Sequence, residues 1–373
     1  TIDGDVAFQL HDTYGFPIDL TEVMATERNL VVDRAEYESR MEEARAKSRR
    51  DDSSEQRMAL PPEALASLQS INVHGTDDHM KFGHPRSGAR IKAIWNGDAF
   101  VEQLNATSPA GLVFDRSNFY AEQGGQIADT GTAVLEPHAD IFAIDDVQRF
   151  GEWILHIGAA RSGTIHVGDE VELRPDASRR KCIEANHTST HLLNHALRAV
   201  LGNEVEQRGS LVADDRLRFD FTHGQPCTPD ELLSIETRVR DAIADGQAVD
   251  WADVALDQAM SITGVRAVFG ERYPDPVRVV SIGASVDELI ANPDNPAWMD
   301  HSIEFCGGTH LERTDAADDF VLLSEQGLAA GIRRIVALTG DAARSVRAAG
   351  DAMLGRAAGL AALEGTDLVA AHA

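Results

Sequence analysis

Four side chains in two short motifs have the types and spacing to hold a metal ion. His187-Thr188-Ser189-Thr190-His191 sets two imidazoles four residues apart. On a helix of 3.6 residues per turn both project from one face and can share an ion. Cys306-Gly307-Gly308-Thr309-His310 offers a thiolate and a third imidazole at the same spacing, and its two glycines let the backbone turn sharply beside the ligands. One sulfur and three nitrogens make the borderline-soft set that tetrahedral zinc prefers, although cobalt or iron can occupy the same ligands in vitro. Neither motif is a site by itself. A lone HxxxH is more often surface or core histidine, and CGGTH alone fits a tight turn over a buried thiol. Together they predict one zinc ion bound by His187, His191, Cys306 and His310. A zincin protease is excluded, because Thr188 stands where H-E-x-x-H carries its general-base Glu.

These ligands need a helix and a framed turn to hold them. Apolar periodicity predicts a helix over 183–200, with Gly202 as its C-cap. Strands at 216–221, 277–282, 320–325 and 332–339, with a helix at 229–245, make this an α+β domain. Upstream, over about 70–175, short alternating runs such as 89–95, 111–114 and 133–135 are punctuated by Gly, Asp and Pro, which predicts an antiparallel β-barrel or sandwich. Gly124-Gly125 reads as a tight bend or bulge within it, and Phe119 and Tyr120 as core. The N-terminal part reads as helical: a turn at 12–17, an N-cap at Thr21, a helix over 33–50, and a polar boundary at 51–56. The last residues, 341–373, are rich in Ala and Leu at helical spacing. The expected order is a helical segment (1–60), a barrel (61–178), a zinc-binding α+β domain (179–341) and a C-terminal helix (342–373), with no internal repeat.

Composition narrows the setting. The 373 residues carry a formal charge of −27, which argues against a generic nucleic-acid binder, since phosphate contacts require Lys or Arg. Lysines are few (Lys47, Lys81, Lys92, Lys181), while arginines cluster at Arg179-Arg180, Arg216/Arg218 and Arg333-Arg334. Cys182, Cys227 and Cys306 are too few and scattered for a disulfide framework; Cys182 and Cys227 read as ordinary thiols. With no apolar run of membrane-spanning length and no basic, apolar leader at Thr1-Ile2-Asp3-Gly4, the reading is a cytoplasmic protein without a membrane partner.

Several motifs resemble one family. Asn186-His187-Thr188-Ser189-Thr190-His191-Leu192-Leu193, Gln207-Arg208-Gly209-Ser210-Leu211-Val212, Leu217-Arg218-Phe219-Asp220-Phe221, Glu304-Phe305-Cys306-Gly307-Gly308-Thr309-His310 and Gly331-Ile332-Arg333-Arg334-Ile335 closely resemble the editing domain of alanyl-tRNA synthetase. Phe119-Tyr120-Ala121-Glu122-Gln123-Gly124-Gly125-Gln126 resembles the barrel that precedes that domain, and the stretch from Leu10-His11-Asp12-Thr13-Tyr14-Gly15-Phe16-Pro17 to Thr21 resembles the end of the family's tRNA-recognition region. The synthetic core is not represented, so the resemblance implies an internal fragment that does not use ATP to form alanyl-adenylate.

The resemblance further implies zinc-dependent hydrolysis of serine or glycine from the acceptor end of tRNA(Ala). A pocket shaped for a methyl group cannot strongly reject a smaller or hydroxyl-bearing rival, so a second site must. Zinc either activates a water or positions the substrate; four protein ligands, a full tetrahedral shell, favour positioning. Thr190 either distinguishes serine or glycine from alanine or bonds back to a carbonyl one turn earlier. Gln207 either orients water or the substrate carbonyl or is a plain loop amide. Gly307 and Gly308 either present N–H groups to an oxyanion or form a plain turn. Arg208, Arg218, Arg333 and Arg334 either meet terminal phosphates or cover a sheet. The C-terminal helix either pairs two copies of the chain or stays single. Two other readings stand beside this one: a tRNA-binding module with a purely structural zinc, and a free-standing editing protein.

Overall fold

The computed structural model describes residues 58–361, except 84, 136–138 and 268–271, together with positions 4, 25, 30, 32–34, 36 and 37. The expected turn at 12–17, the Thr21 cap, most of the helix at 33–50, the boundary at 51–56 and the chain beyond 361 lie outside the described residues.

Between 87 and 175 the chain forms β1 (Ser87–Trp95), β2 (Phe100–Val101), β3 (Gln103–Asn105), β4 (Pro109–Phe114), β5 (Gly131–Leu135), β6 (Ala139–Phe150), β7 (Trp153–Ala160), β8 (Thr164–His166) and β9 (Glu170–Pro175). Antiparallel pairing runs β1-β4-β7-β6-β5-β9, and β9 returns to β1 through Ala89↔Val171. The barrel is therefore closed by six strands; closure removes the unpaired edges a sandwich would leave. Its interior is filled by Ile91, Leu112, Phe114, Phe119, Phe142, Ile144, Ile154 and Leu173. One imidazole shares that interior. His156 Nε2 lies 2.7 Å from Ser117 Oγ and Nδ1 3.2 Å from the Leu112 carbonyl, and burial pushes its pKa down to about 4, so it packs as a neutral ring. Helix α1 (Pro62–Ser70) covers one end, burying Leu68 against Trp95, Trp153 and Leu155.

The remainder is α+β: α2 (Ala177–Leu201), β10 (Gln207–Val212), β11 (Leu217–Thr222), α3 (Pro229–Ala244), β12 (Val249–Val254), α4 (Leu256–Met260), β13 (Val277–Ile282), α5 (Val286–Ala291), β14 (Ser302–Phe305), β15 (Phe320–Ala329), β16 (Ile332–Thr339) and α6 (Gly340–Ala361). They build a sheet β10-β11-β16-β15 and a smaller one, β12-β13-β14. Helix α2 begins six residues before the apolar periodicity does, because the Asp176 side chain accepts from the Ser178 and Arg179 N–H groups and caps it there. It ends at Gly202, as expected, with φ 108°. Leu193 and Leu197 of α2, Ile235 and Val239 of α3, and Phe219, Phe221 and Ile335 of the larger sheet form one core. Across the junction to the barrel, Arg180 of α2 is buried against Asp129 and the Asn118 carbonyl. A buried pair of this kind, hydrogen-bonded at both ends, tolerates little displacement.

Barrel closure depends on close backbone approach. A Cβ on Gly158 of β7 would sit 1.8 Å from the Ala143 carbonyl oxygen, whereas Gly88 of β1 has open space. Gly158→Ala is expected to destabilise the protein by about 2 kcal/mol or more, and Gly88→Ala by no more than about 0.5 kcal/mol; urea denaturation of both variants checks the contrast.

Candidate metal centre

His187, His191, Cys306 and His310 converge, with their four ligand atoms all within 4.8 Å of one another. The two histidines of α2 lie on one face, ring centroids 5.3 Å apart, and His310 sits 4.3 Å from His187 and 4.6 Å from His191. Cys306 Sγ is 3.3 Å from His187 Nε2 and 3.4 Å from His310 Nε2. Bonds of about 2.0–2.3 Å to a tetrahedral ion leave ligand atoms roughly 3.5 Å apart, so the cluster could hold one metal ion of the kind zinc represents. Cys182 is exposed and Cys227 buried elsewhere; neither joins the cluster.

Two of the imidazoles are hydrogen-bonded to an oxygen at Nδ1, and the third has a carboxylate nearby. His187 Nδ1 lies 2.6 Å from Gln126 Oε1, and His310 Nδ1 3.3 Å from Thr188 Oγ1. His191 Nδ1 faces Glu304 Oε2 at 3.8 Å, and Asn194 fixes that carboxylate through Oε1 at 2.8 Å. Such outer partners set the tautomer and aim the other nitrogen at the metal. Thr188, which ruled out a zincin, thus has a positive role. It orients His310 and accepts from the Leu311 N–H at 3.1 Å.

Electrostatics favour a bound cation. Burial alone would raise the Cys306 pKa, but the three imidazoles and a hydrogen bond from His187 hold it well below the usual thiol range. Burial lowers His191, yet Glu304 and Cys306 outweigh it and push it up to about 9. Burial, with His187 beside it, holds His310 well below the usual histidine value.

The Cys306–His310 turn is framed by β13 and by the barrel. The Cys306 N–H donates to the Arg278 carbonyl at 3.1 Å, and the Arg278 guanidinium donates to the Gly308 carbonyl. That guanidinium is stacked between Phe82, 3.7 Å from the ring centroid, and Trp251, at 4.2 Å. A Cβ on Gly308 would lie 2.0 Å from the His187 ring; one on Gly307 would meet nothing within 4 Å. The Gly308 N–H points at Cys306 Sγ at 3.5 Å, toward the sulfur and not outward as an oxyanion donor would. Gly308 is glycine for lack of room.

The other expected residues fall into place unevenly. Thr190 shares the α2 face with the histidines, and its hydroxyl donates to the Asn186 carbonyl one turn earlier at 2.8 Å. Gln207 starts β10 and lies 3.3 Å from Ser210 Oγ, against which Gly125 of the barrel packs. The arginines are not gathered into one patch. Arg334 is bidentate on Asp220 at 2.7 and 2.8 Å, and Arg218 lies 3.7 Å from the same carboxylate. Arg333 grips Glu325, and the exposed Arg208 pairs with Glu206 at 2.9 Å. Gln126, Glu304 and Arg278 were not legible as site residues. Gln126 and Glu304 lie inside the family-like motifs at 119–126 and 304–310, but only the tertiary contacts reveal their partners.

Comparison with known proteins now bears on this arrangement. Residues 1–179 match the family model for tRNA synthetases class II (A), and residues 277–336 match the threonyl and alanyl tRNA synthetase second additional domain. The cytoplasmic alanine–tRNA ligase of Dictyostelium discoideum is 46% identical over 349 residues, covering 92% of this chain and 37% of the ligase. The alanine–tRNA ligase of Candida albicans is 45% identical over 351 residues, 93% of this chain and 36% of that one. The mitochondrial ligase of Saccharomyces cerevisiae is 44% identical over 348 residues, 92% and 35%. The chain belongs to the alanyl-tRNA synthetase family. It spans little more than a third of the length of these relatives. Within the family's architecture the centre is composite. Gln126 falls in the first matched region, Cys306 and His310 in the second, and both α2 histidines in the span between. No helix among the described residues is long and apolar enough to cross a membrane.

Two outcomes follow from this geometry. Gly308→Ala is expected to lower metal affinity on the order of a hundredfold by displacing His187, while Gly307→Ala leaves it within a few-fold; competition with a chromophoric chelator reads both. In metal-free protein Cys306 is expected to be alkylated by iodoacetamide at pH 7, below the ordinary thiol range of about 8.5. Added zinc should block Cys306 and spare the reactivity of exposed Cys182, as peptide mapping would show.

Proposed function

We propose that the protein removes serine or glycine wrongly esterified to the 3′ adenosine of tRNA(Ala), using one zinc ion held by His187, His191, Cys306 and His310. The observation that carries this reading is the three-imidazole, one-thiolate cluster, two of its imidazoles hydrogen-bonded from outside and the third beside a carboxylate, within a chain matching the additional domain shared by threonyl and alanyl synthetases. Water adds to the ester carbonyl, the bond to the ribose oxygen breaks, and the free amino acid and the tRNA hydroxyl leave; no ATP is consumed.

Bound zinc would supply positive charge that fixes the substrate's amino group or ribose, or that acidifies a water, and a full set of four protein ligands favours fixing. The chain's own groups do the rest. The Thr190 hydroxyl has given its hydrogen to the Asn186 carbonyl, so toward a substrate it can only accept. A serine hydroxyl can donate to it, and an alanine methyl cannot. Gln207 orients the water or the ester carbonyl, and the Gly307 N–H is the donor available to a developing oxyanion. Arg208, whose only carboxylate partner among the described residues is exposed, is the best placed of the four arginines for a terminal phosphate. Arg218, Arg333 and Arg334 would have to exchange a carboxylate for one. The three free thiols suit a reducing compartment such as the cytoplasm. Met353 and Leu354, exposed on α6, would serve a contact between two copies of the chain.

The second reading, a tRNA-binding module with a structural zinc, is favoured by the same full ligand set. Seryl-, glycyl- and alanyl-tRNA(Ala) incubated with the protein separate the two. Serine and glycine are expected to be released faster than alanine, with the rate falling by roughly a hundredfold or more in Cys306→Ala. Stoichiometric zinc without release would establish the structural reading instead.

A further inference from the structure

The metal ligands all come from the α+β part of the chain, but one of the groups that aims them comes from the barrel. Gln126 follows the Gly124-Gly125 bend between β4 and β5 and is fully buried. Its segment lies along the edge of β10: the Val212 N–H donates to the Gly125 carbonyl at 2.7 Å, and the Ile127 N–H donates to the Val212 carbonyl at 3.1 Å. Gly125 has φ +85°, and a Cβ there would sit 2.6 Å from Ser210 Oγ, so the approach is possible only without a side chain. The contact delivers the Gln126 amide between His187 and the Cys306–His310 turn.

The orientation of that amide is forced. Oε1 accepts from the Thr309 backbone N–H at 3.0 Å, and Nε2 donates to Thr309 Oγ1 at 3.0 Å. A backbone N–H can only donate, so the atom facing it is the oxygen, and the amide cannot be flipped. The same oxygen faces His187 Nδ1 at 2.6 Å. Nδ1 therefore carries a hydrogen, and Nε2, on the side of Cys306 Sγ, is the nitrogen left to face a metal. A second strut from before β1 reaches the same turn: Phe82 stacks on Arg278, which holds the Gly308 carbonyl.

We propose that Gln126 is a positioning residue of the metal centre, and that docking of the barrel and binding of the metal are linked through it. The linkage is reciprocal. Whatever factor docking adds to metal affinity, bound metal adds to docking. This inference goes beyond the proposed hydrolysis and does not depend on it, because its readouts involve no tRNA.

The test uses the whole chain with Gln126→Leu, Gln126→Ala and Gln126→Glu. Leu keeps volume without an acceptor; Glu keeps an acceptor for both His187 and the Thr309 N–H, with the Thr309 hydroxyl turning to donate. Zinc affinity, by chelator competition, is expected to fall roughly 10- to 100-fold in Leu and Ala and to recover to within a few-fold in Glu. The sulfur-to-metal absorption of the cobalt-loaded variants should stay, showing the ligand set intact. In the unaltered chain, removing zinc is expected to speed hydrogen exchange at the Ile127 and Val212 amides, a measurement that needs no variant to fold. Zinc affinity within twofold of wild type in Gln126→Leu, or Glu no better than Leu, would overturn the positioning role. Exchange at Ile127 and Val212 that ignores zinc would overturn the linkage.

Discussion

A thiolate and three imidazoles can be gathered in a protein interior only if the polar groups around them are themselves tied down, since an unpaired buried charge or donor costs several kcal/mol (about 1–3 for a neutral group). That requirement organises much of this structure. Helix α2 is buried on all sides over residues 185–194, and most of its polar side chains there are committed, Ser189 Oγ and His191 Nδ1 being the exceptions. Asn186 reaches the Ala213 carbonyl and accepts from Thr339, Thr188 holds His310 and Leu311, and Asn194 holds Glu304. Sheet, turn and barrel each contribute partners to one helix.

The acidity of the chain has a local counterpart in how it uses arginine. Arg180 on Asp129, Arg334 on Asp220, Arg333 on Glu325 and Arg278 on the Gly308 carbonyl are all joints between elements. The planar guanidinium suits such joints because it meets a carboxylate with two parallel bonds. Counting arginines in sequence overestimates the number free for a ligand, because strand register sets Asp220 opposite Arg334 and places Glu325 diagonal to Arg333, two residues from its partner Gly327.

Much of this was legible from spacing, and the remainder was not for identifiable reasons. The four ligands stood out because helical and turn spacing are both local. The strand at Val277–Ile282 and the strand at Ile332–Thr339 appear with the limits their apolar runs indicate. The start of α2 was missed because a cap, not hydrophobicity, decides it. β12 is largely part-exposed and β14 spans only four residues, so neither gives a clear alternation. Gln126, Glu304 and Arg278 are ordinary polar residues until the chain folds; their roles rest on contacts 30 to 183 positions apart, which no local pattern encodes. Thr190 and Gly308 show the reverse. Their positions were evident, but where the hydroxyl and the N–H point could be read only from the fold.

The 119 positions from His187 to Cys306 also order events in time. As the chain leaves the ribosome, the barrel and its Gln126 emerge first and the histidine pair next. The thiolate turn arrives only after the smaller sheet has all its strands, with β15 and β16 of the larger one still to come. Two imidazoles on a nascent helix form a weak and unselective metal site, so secure capture waits until the polypeptide has grown past His310. Loop closure over such distances is slow. A metal ion at this cluster would thus be secured among the last acts of maturation, when the barrel is already complete and able to receive the turn.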